Sequence, residues 1–183
     1  GYALAEECAE RGAEVILISG PVSLKPIHPN IKRISVESAD EMFEAAIQEF
    51  PEVDAAILCA AVADYKVKEQ SAVKLKRTEN DLKLELIPNK DIAAHLGEIK
   101  KENQILIGFA LETNNEEQNA EKKLAKKKLD YIVLNSLNDT GAGFKHDTNK
   151  ISILSKSGSK KDYPLKSKAE VASDIIDETL KDL

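Results

Sequence analysis

Asp54–Ala61 reads DAAILCAA and Ile105–Ala110 reads ILIGFA. Neither run alternates polar with apolar residues. A strand with one wet face would alternate, so these runs fit strands covered on both sides, as in a parallel sheet between helices. Working outward, Glu14–Ser19 (EVILIS), Ile31–Val36 and Tyr131–Asn135 repeat the pattern, and helical spacing fills the gaps between them. Ala3, Leu4, Cys8 and Ala9 mark a first helix ended by Arg11-Gly12. Ser38 caps a second, with Glu41 at the capping-box position and Met42, Ala45, Ala46 and Ile47 as its apolar stripe. Further helices are expected at Asp91–Lys101, at about Glu116–Lys128 and at Ala169–Leu180, with late strands at Ile151–Leu154 and Tyr163–Leu165.

The alternation predicts one α/β domain over residues 1–183, a Rossmann-like, mostly parallel sheet with helices on both faces. Lys66–Pro88 departs from it. This stretch is dense in Lys and Glu, and Val73–Arg77 and Leu82–Ile87 alternate, which predicts an exposed β-hairpin flap turning at Glu79-Asn80-Asp81. A helix that starts at residue 1 and feeds a parallel strand is half of a βαβ unit. A preceding strand and its loop are therefore expected upstream.

Composition narrows the function classes. The 183 residues are 42% apolar and 32% charged, with net charge −6, which argues against a general nucleic-acid binder. Aromatics are only 4% and Trp is absent, so the core must be aliphatic. Cys8 and Cys59 sit in apolar runs, the usage of a reduced, cytoplasmic protein. No apolar stretch approaches 18 residues and no signal peptide is visible, so neither membrane spanning nor secretion is expected.

Ligands of such sheets bind at the carboxyl ends of the strands. Those ends read Ser19–Ser23, Ala60–Tyr65, Gly108–Asn114 and Asn135-Ser136. Ala60, Ala61 and Ala63 would let a ligand approach the backbone, though helix packing explains small residues equally well. Asp64 can accept from ribose hydroxyls or help hold a metal; a loop cap is its commoner role. Lys123 and Lys127 share a helix face, where like charges cost a little and a bound anion would remove that cost. A solvated face is the ordinary reading of such charge runs. A P-loop is absent, the first complete strand ends in Ser19 and not in the acidic residue that holds the ribose of NAD, and His28, His95 and His146 form no ligand set.

Three segments together resemble the bacterial phosphopantothenoylcysteine synthetase family. They are Ser19-Gly20-Pro21-Val22-Ser23-Leu24, Cys59–Tyr65 with Lys74-Leu75-Lys76-Arg77 after it, and Gly108–Asn114. Asn89-Lys90-Asp91-Ile92 is similar to the family's Asn-Pro-Asp-Ile segment with Lys90 for Pro, and Ala72-Val73 replaces its usual Pro-Glu. The resemblance runs in order over nearly the whole chain. It implies a ligase that activates 4'-phosphopantothenate with CTP and Mg²⁺ as an acyl-cytidylate and passes the acyl group to cysteine. It implies that Lys74 is the catalytic flap lysine. It also implies that Cys59, Ala60, Ala61, Asp64, Lys90, Asp91, Ile92, Ala93, Phe109, Lys123 and Lys127 line the nucleotide site, with Ala60 and Ala61 also meeting the acyl substrate. A homodimer is implied, and FMN only where a decarboxylase domain is fused upstream; the long Pro21–Asn30 loop and the hairpin are the candidate dimer elements in this chain. An NAD(P)-dependent oxidoreductase and a non-catalytic nucleotide-binding module are the competing readings.

Overall fold

The computed structural model describes residues 1–69, 71, 73–76, 82–112, 115–136, 148–181 and 183. Helix α1 (Tyr2–Glu10) leads into strands β1 (Val15–Ser19) and β2 (Ile31–Ser35), then α2 (Ala39–Glu49), a short 3-10 turn (Phe50–Glu52) and β3 (Ala55–Leu58). Strands β4 (Tyr65–Val67) and β5 (Leu86–Pro88) follow, then α3 (Ile92–Ile99), β6 (Ile105–Glu112), α4 (Glu116–Lys126) and β7 (Tyr131–Ser136). The chain closes with β8 (Thr148–Ser155), β9 (Lys160–Ser167) and α5 (Lys168–Thr179).

The central sheet has the order β3-β6-β7-β8-β9. Strands β3, β6 and β7 run parallel, and β8 and β9 extend the edge antiparallel. Strands β1 and β2 form a separate parallel pair. Residues of β6 alternate between two cores, which is why the strand reads as apolar throughout. Ile107 and Phe109 pack with Leu4 of α1 and with Val171, Ala172, Ile175 and Ile176 of α5. Leu106 and Ala110 pack on the opposite face with Ala46 of α2, Leu96 of α3 and Ala120 of α4. The Ser38–Glu41 capping box forms as expected: Ser38 Oγ accepts from the Glu41 N–H at 3.1 Å, and the Glu41 carboxylate accepts in return.

Two expectations need correction. The flap strands were expected at Val73–Arg77 and Leu82–Ile87, but the paired segments are Tyr65–Val67 and Leu86–Pro88, the base of the excursion. Among the described residues Val73–Lys76 and Leu82–Leu84 are exposed and join no ladder, while Glu85 O still accepts the Lys68 N–H at 2.9 Å; a short ladder with no core under it gains little from further extension. The expected turn at 79–81 lies outside the described residues. The strand expected over Asp54–Ala61 ends at Leu58 and is half-buried; past it the Val62 N–H donates to Ala60 O at 3.1 Å and starts a loop. The late strands are longer than expected. Their inward residues Ile151, Ile153 and Tyr163 are spaced by Lys, Ser and Asp that face out.

At the amino end of the sheet lies a buried carboxylate. Asp130 is 5% exposed, and its Oδ2 accepts the Leu106 N–H at 2.8 Å. Its carboxylate also meets Lys100 Nζ at 3.0 Å and Lys156 Nζ at 2.6 Å. Burial would raise the Asp130 pKa, but Lys156, the Leu106 N–H and Lys100 outweigh it and hold the group below its ordinary value. Gln104 closes the neighbouring corner: its Nε2 donates to Phe50 O and Val53 O, each at 2.7 Å.

Asp130→Asn should destabilise the fold by about 2–4 kcal/mol in urea titration, because it leaves Lys100 buried without a counter-charge. A group with a depressed folded pKa stabilises above its unfolded pKa of about 3.9 and loses that contribution as pH falls through the folded value. The gap between wild type and Asp130→Asn should therefore hold at pH 7 and shrink below about pH 4. A gap independent of pH would show that charge is not the cause.

Candidate functional site

The carboxyl ends of β3 and β6 lie side by side, since Leu58 pairs with Gly108. Cys59 and Phe109 follow in that register and pack in the same core, half-buried. Helix α1 aims its start at this place: a Cβ on Gly1 would stand 3.2 Å from Cys59 Sγ. Ala60, Ala61 and Asp64 are exposed on the loop beyond. That loop is held from the side by Asn89, whose Nδ2 donates to Ala63 O and whose N–H donates to Asp64 O, both at 2.8 Å. At the end of β7, Asn135 Oδ1 is shut from solvent and has no hydrogen-bond partner among the described residues.

Asp91 caps α3, accepting from the Ala94 N–H at 3.1 Å. Lys127, half-buried at the end of α4, comes within 3.1 Å of the same oxygen. Burial pushes the Asp91 carboxyl up, but the Ala94 N–H and Lys127 outweigh it, so its pKa lies below the usual range. The repulsion expected between Lys123 and Lys127 thus has an internal remedy, since Asp91 pairs with Lys127. Lys123 is exposed and also has a partner. Gly97 makes this approach possible: a Cβ there would fall 2.0 Å from the Lys127 carbonyl oxygen. Ile92 and Ala93 are half-buried, with Ile92 on the α2–α4 core.

The Lys90 ammonium lies 4.6 Å above the Phe43 ring, which meets the His95 ring at a 56° tilt with centroids 5.1 Å apart, so this side chain grips α2. Lys66 of β4 pairs with Asp40 at the start of α2, and that hydrogen bond holds the Asp40 carboxyl below its ordinary pKa. Lys74 is exposed and makes no hydrogen bond or ion pair among the described residues. The structure therefore brings Cys59 to Phe109, the Ala63-Asp64 loop to Asn89, and Asp91 to Lys127, and among the described residues none of them bonds to Lys74. Sequence reasoning quoted Asn89 but gave it no role, and it missed the Lys66–Asp40 pair and the contact of Phe43 with Lys90 and His95. Nothing local in the sequence marks these partners, because each pairing spans distant elements.

The family described as the DNA/pantothenate metabolism flavoprotein C-terminal domain matches residues 1–183. The chain belongs to this family. It is 47% identical over 178 residues to the coenzyme A biosynthesis bifunctional protein CoaBC of Bacillus subtilis, covering 97% of this chain and 44% of that protein. It is also 53% identical over 176 residues to a protein named cysteine/cysteine sulfinic acid decarboxylase from an unknown prokaryotic organism, covering 96% and 49%. The chain thus spans about half the length of these relatives. Among solved structures, the C-terminal domain of a coenzyme A biosynthesis bifunctional protein CoaBC superposes with a TM-score of 0.81 at 41% identity, covering 97% of this chain and 79% of that one. A Cab2 H337A mutant in complex with phosphopantothenate-cysteine has a TM-score of 0.74 at 16% identity, which shows the shared fold. Among the described residues, no helix is long and apolar enough to cross a membrane.

Gly97→Ala should cost about 2 kcal/mol or more in urea denaturation, because rigid backbone opposes the new methyl. Gly108→Ala should cost less, since its added Cβ meets only the Leu129 Cδ1 at 2.6 Å and that side chain can turn. Equal costs would mean that α3 slides off α4 freely.

Proposed function

We propose that residues 1–183 act as one synthetase domain that joins 4'-phosphopantothenate to L-cysteine with CTP, with the excursion at about 66–88 as a flap. The observation that carries this reading is the stitching at the sheet edge. Segments 59–64 and 89–93 and the end of α4 are far apart in sequence, yet Asn89 and the Asp91–Lys127 pair bind them together. Close sequence relatives named for coenzyme A biosynthesis support the same reading.

A carboxylate is a poor electrophile, so the acid must be activated. Its oxygen attacks the α-phosphorus of CTP, pyrophosphate leaves, and an acyl-cytidylate forms. The amine of cysteine then attacks the acyl carbon and CMP leaves, with the amine proton lost to solvent. The first step brings a carboxylate to a triphosphate. Like charges 4 Å apart repel by about 4 kcal/mol at an effective dielectric near 20. In a chain of net charge −6 the counter-charge must be local. Lys123 and Lys127 lie on the nucleotide side, and Lys74, carried on the flap, closes over the reacting phosphates. Phe109 and the Cys59–Ala61 backbone face the base and the acyl substrate, Asp64 takes the ribose hydroxyls, and the Lys90–Ala93 turn flanks the nucleotide.

Among the described residues no group of three His, Cys, Asp or Glu could hold a metal by itself. Mg²⁺ would be held mainly by the substrate phosphates and would neutralise charge on them. Exposed Val22, Leu24 and Ile27 on the loop after β1, with Val73 and Leu75 on the flap, fit contact between two copies of the chain. The reaction belongs in the cytoplasm. The oxidoreductase reading gains nothing from Ser19, whose hydroxyl lies 3.0 Å from the Tyr2 hydroxyl where a ribose-binding acid would be needed.

The whole protein should release pyrophosphate only when CTP, Mg²⁺ and 4'-phosphopantothenate are all present. Lys74→Gln should lower that rate about 100-fold or more, with the fold intact by circular dichroism. Nucleotide binding without turnover by folded wild-type protein would instead favour a binding module.

A further inference from the structure

Asn89 stands where β5 returns to the carboxyl edge of the sheet. The last paired residues of the β4–β5 ladder are Tyr65 and Pro88. One residue further on, the Asn89 N–H donates to Asp64 O at 2.8 Å, and the side-chain Nδ2 donates to Ala63 O, also at 2.8 Å. These acceptors are the carbonyls of the two peptide units that flank the Asp64 Cα. The direction of a side chain is set by those two units, and here one residue holds both. The Asn89 carboxamide oxygen is shut from solvent and has no partner among the described residues. It reaches no ligand, and turning the amide over would set it against Ala63 O, so the work of this amide is its bond to the loop.

Asp64 itself is exposed, and its carboxylate makes no hydrogen bond or ion pair among the described residues. A carboxylate free at its tip but fixed at both flanking peptides presents its oxygens in a narrow range of directions, so less freedom is lost when a ligand is taken up. Two residues beyond Asn89, Asp91 pairs with Lys127 at 3.1 Å, which fixes the same turn to the end of α4. We propose that Asn89 is a positioning residue: by holding Ala63 O and Asp64 O it aims the Asp64 carboxylate at the ribose hydroxyls of the nucleotide. The role rests on the nucleotide-site reading of Asp64 given above, and it makes Asn89 a determinant of sugar specificity without touching the sugar. A purely structural Asn89 would only fasten the loop, and would matter equally to every nucleotide.

The two roles separate with 2',3'-dideoxy-CTP, which keeps the base and the triphosphate and lacks both hydroxyls. The test is calorimetric titration of the whole protein with CTP or with this analogue, in Mg²⁺ and without 4'-phosphopantothenate, so that no turnover occurs. Wild-type protein should bind CTP about tenfold or more tighter than the analogue. Asn89→Ala should bring the two affinities to within about threefold, by weakening CTP and leaving the analogue nearly unchanged. Asp64→Ala should do the same, and adding Asn89→Ala to it should change the ratio no further, because one residue acts through the other. An Asn89→Ala protein that keeps the wild-type ratio, or weakens both nucleotides equally, overturns the positioning role and leaves the nucleotide site standing. Wild-type protein with no preference between the two overturns the role together with Asp64 as ribose acceptor, and binding of neither nucleotide overturns the nucleotide reading as well. Should Asn89→Ala unfold, Asn89→Asp takes its place, since its carboxylate keeps the shape and cannot donate to Ala63 O. The added charge acts on both triphosphates alike and leaves the ratio readable.

Discussion

The carboxylate of Asp130 is the constraint on which the rest of the sheet depends. It accepts the Leu106 N–H from β6, while the Asp130 N–H donates to Leu106 O, so the start of the β6–β7 ladder is closed from both sides. Lys100 reaches it from the end of α3 and Lys156 from the turn after β8. One side chain thereby joins two parallel strands, a helix and the antiparallel edge. A single buried anion with two cations and a backbone donor is favourable only when all partners are present, so the arrangement admits one register.

What that anchor sets at the amino end, Gly97 transmits to the carboxyl end. Helix α3 presses its backbone against Lys127, an approach that a single methyl would forbid. The N-terminus of α3 and the end of α4 then meet as Asp91 and Lys127, beside the loop after β3. The Lys66–Asp40 pair and the Lys90–Phe43 contact fasten the base of the 66–88 excursion to α2.

Charge is distributed to match. The chain is acidic overall, yet the cations at its carboxyl edge are paired or stacked with groups on other elements. A pair such as Lys127–Asp91 costs little to rearrange at a half-exposed site, so an anion can share the lysine without leaving a bare charge behind. Lys74 differs, since among the described residues nothing engages it.

Sequence alone determined the buried parallel strands, because a strand covered on both faces must be apolar at every position, as Ile105–Ala110 is. It also determined the Ser38–Glu41 cap, a purely local bond between residues three apart. It placed Cys59–Asp64, Lys90–Ala93 and Phe109 at strand ends and helix starts through a resemblance that covers the whole chain. Tertiary structure decided the rest. It alone paired Lys127 with Asp91, set Lys90 on Phe43, moved the flap ladder to Tyr65–Val67 and Leu86–Pro88, and lengthened β8 and β9. Each of these outcomes depends on partners distant in the chain, and local periodicity carries no record of which distant residue will supply the opposite charge or the neighbouring strand.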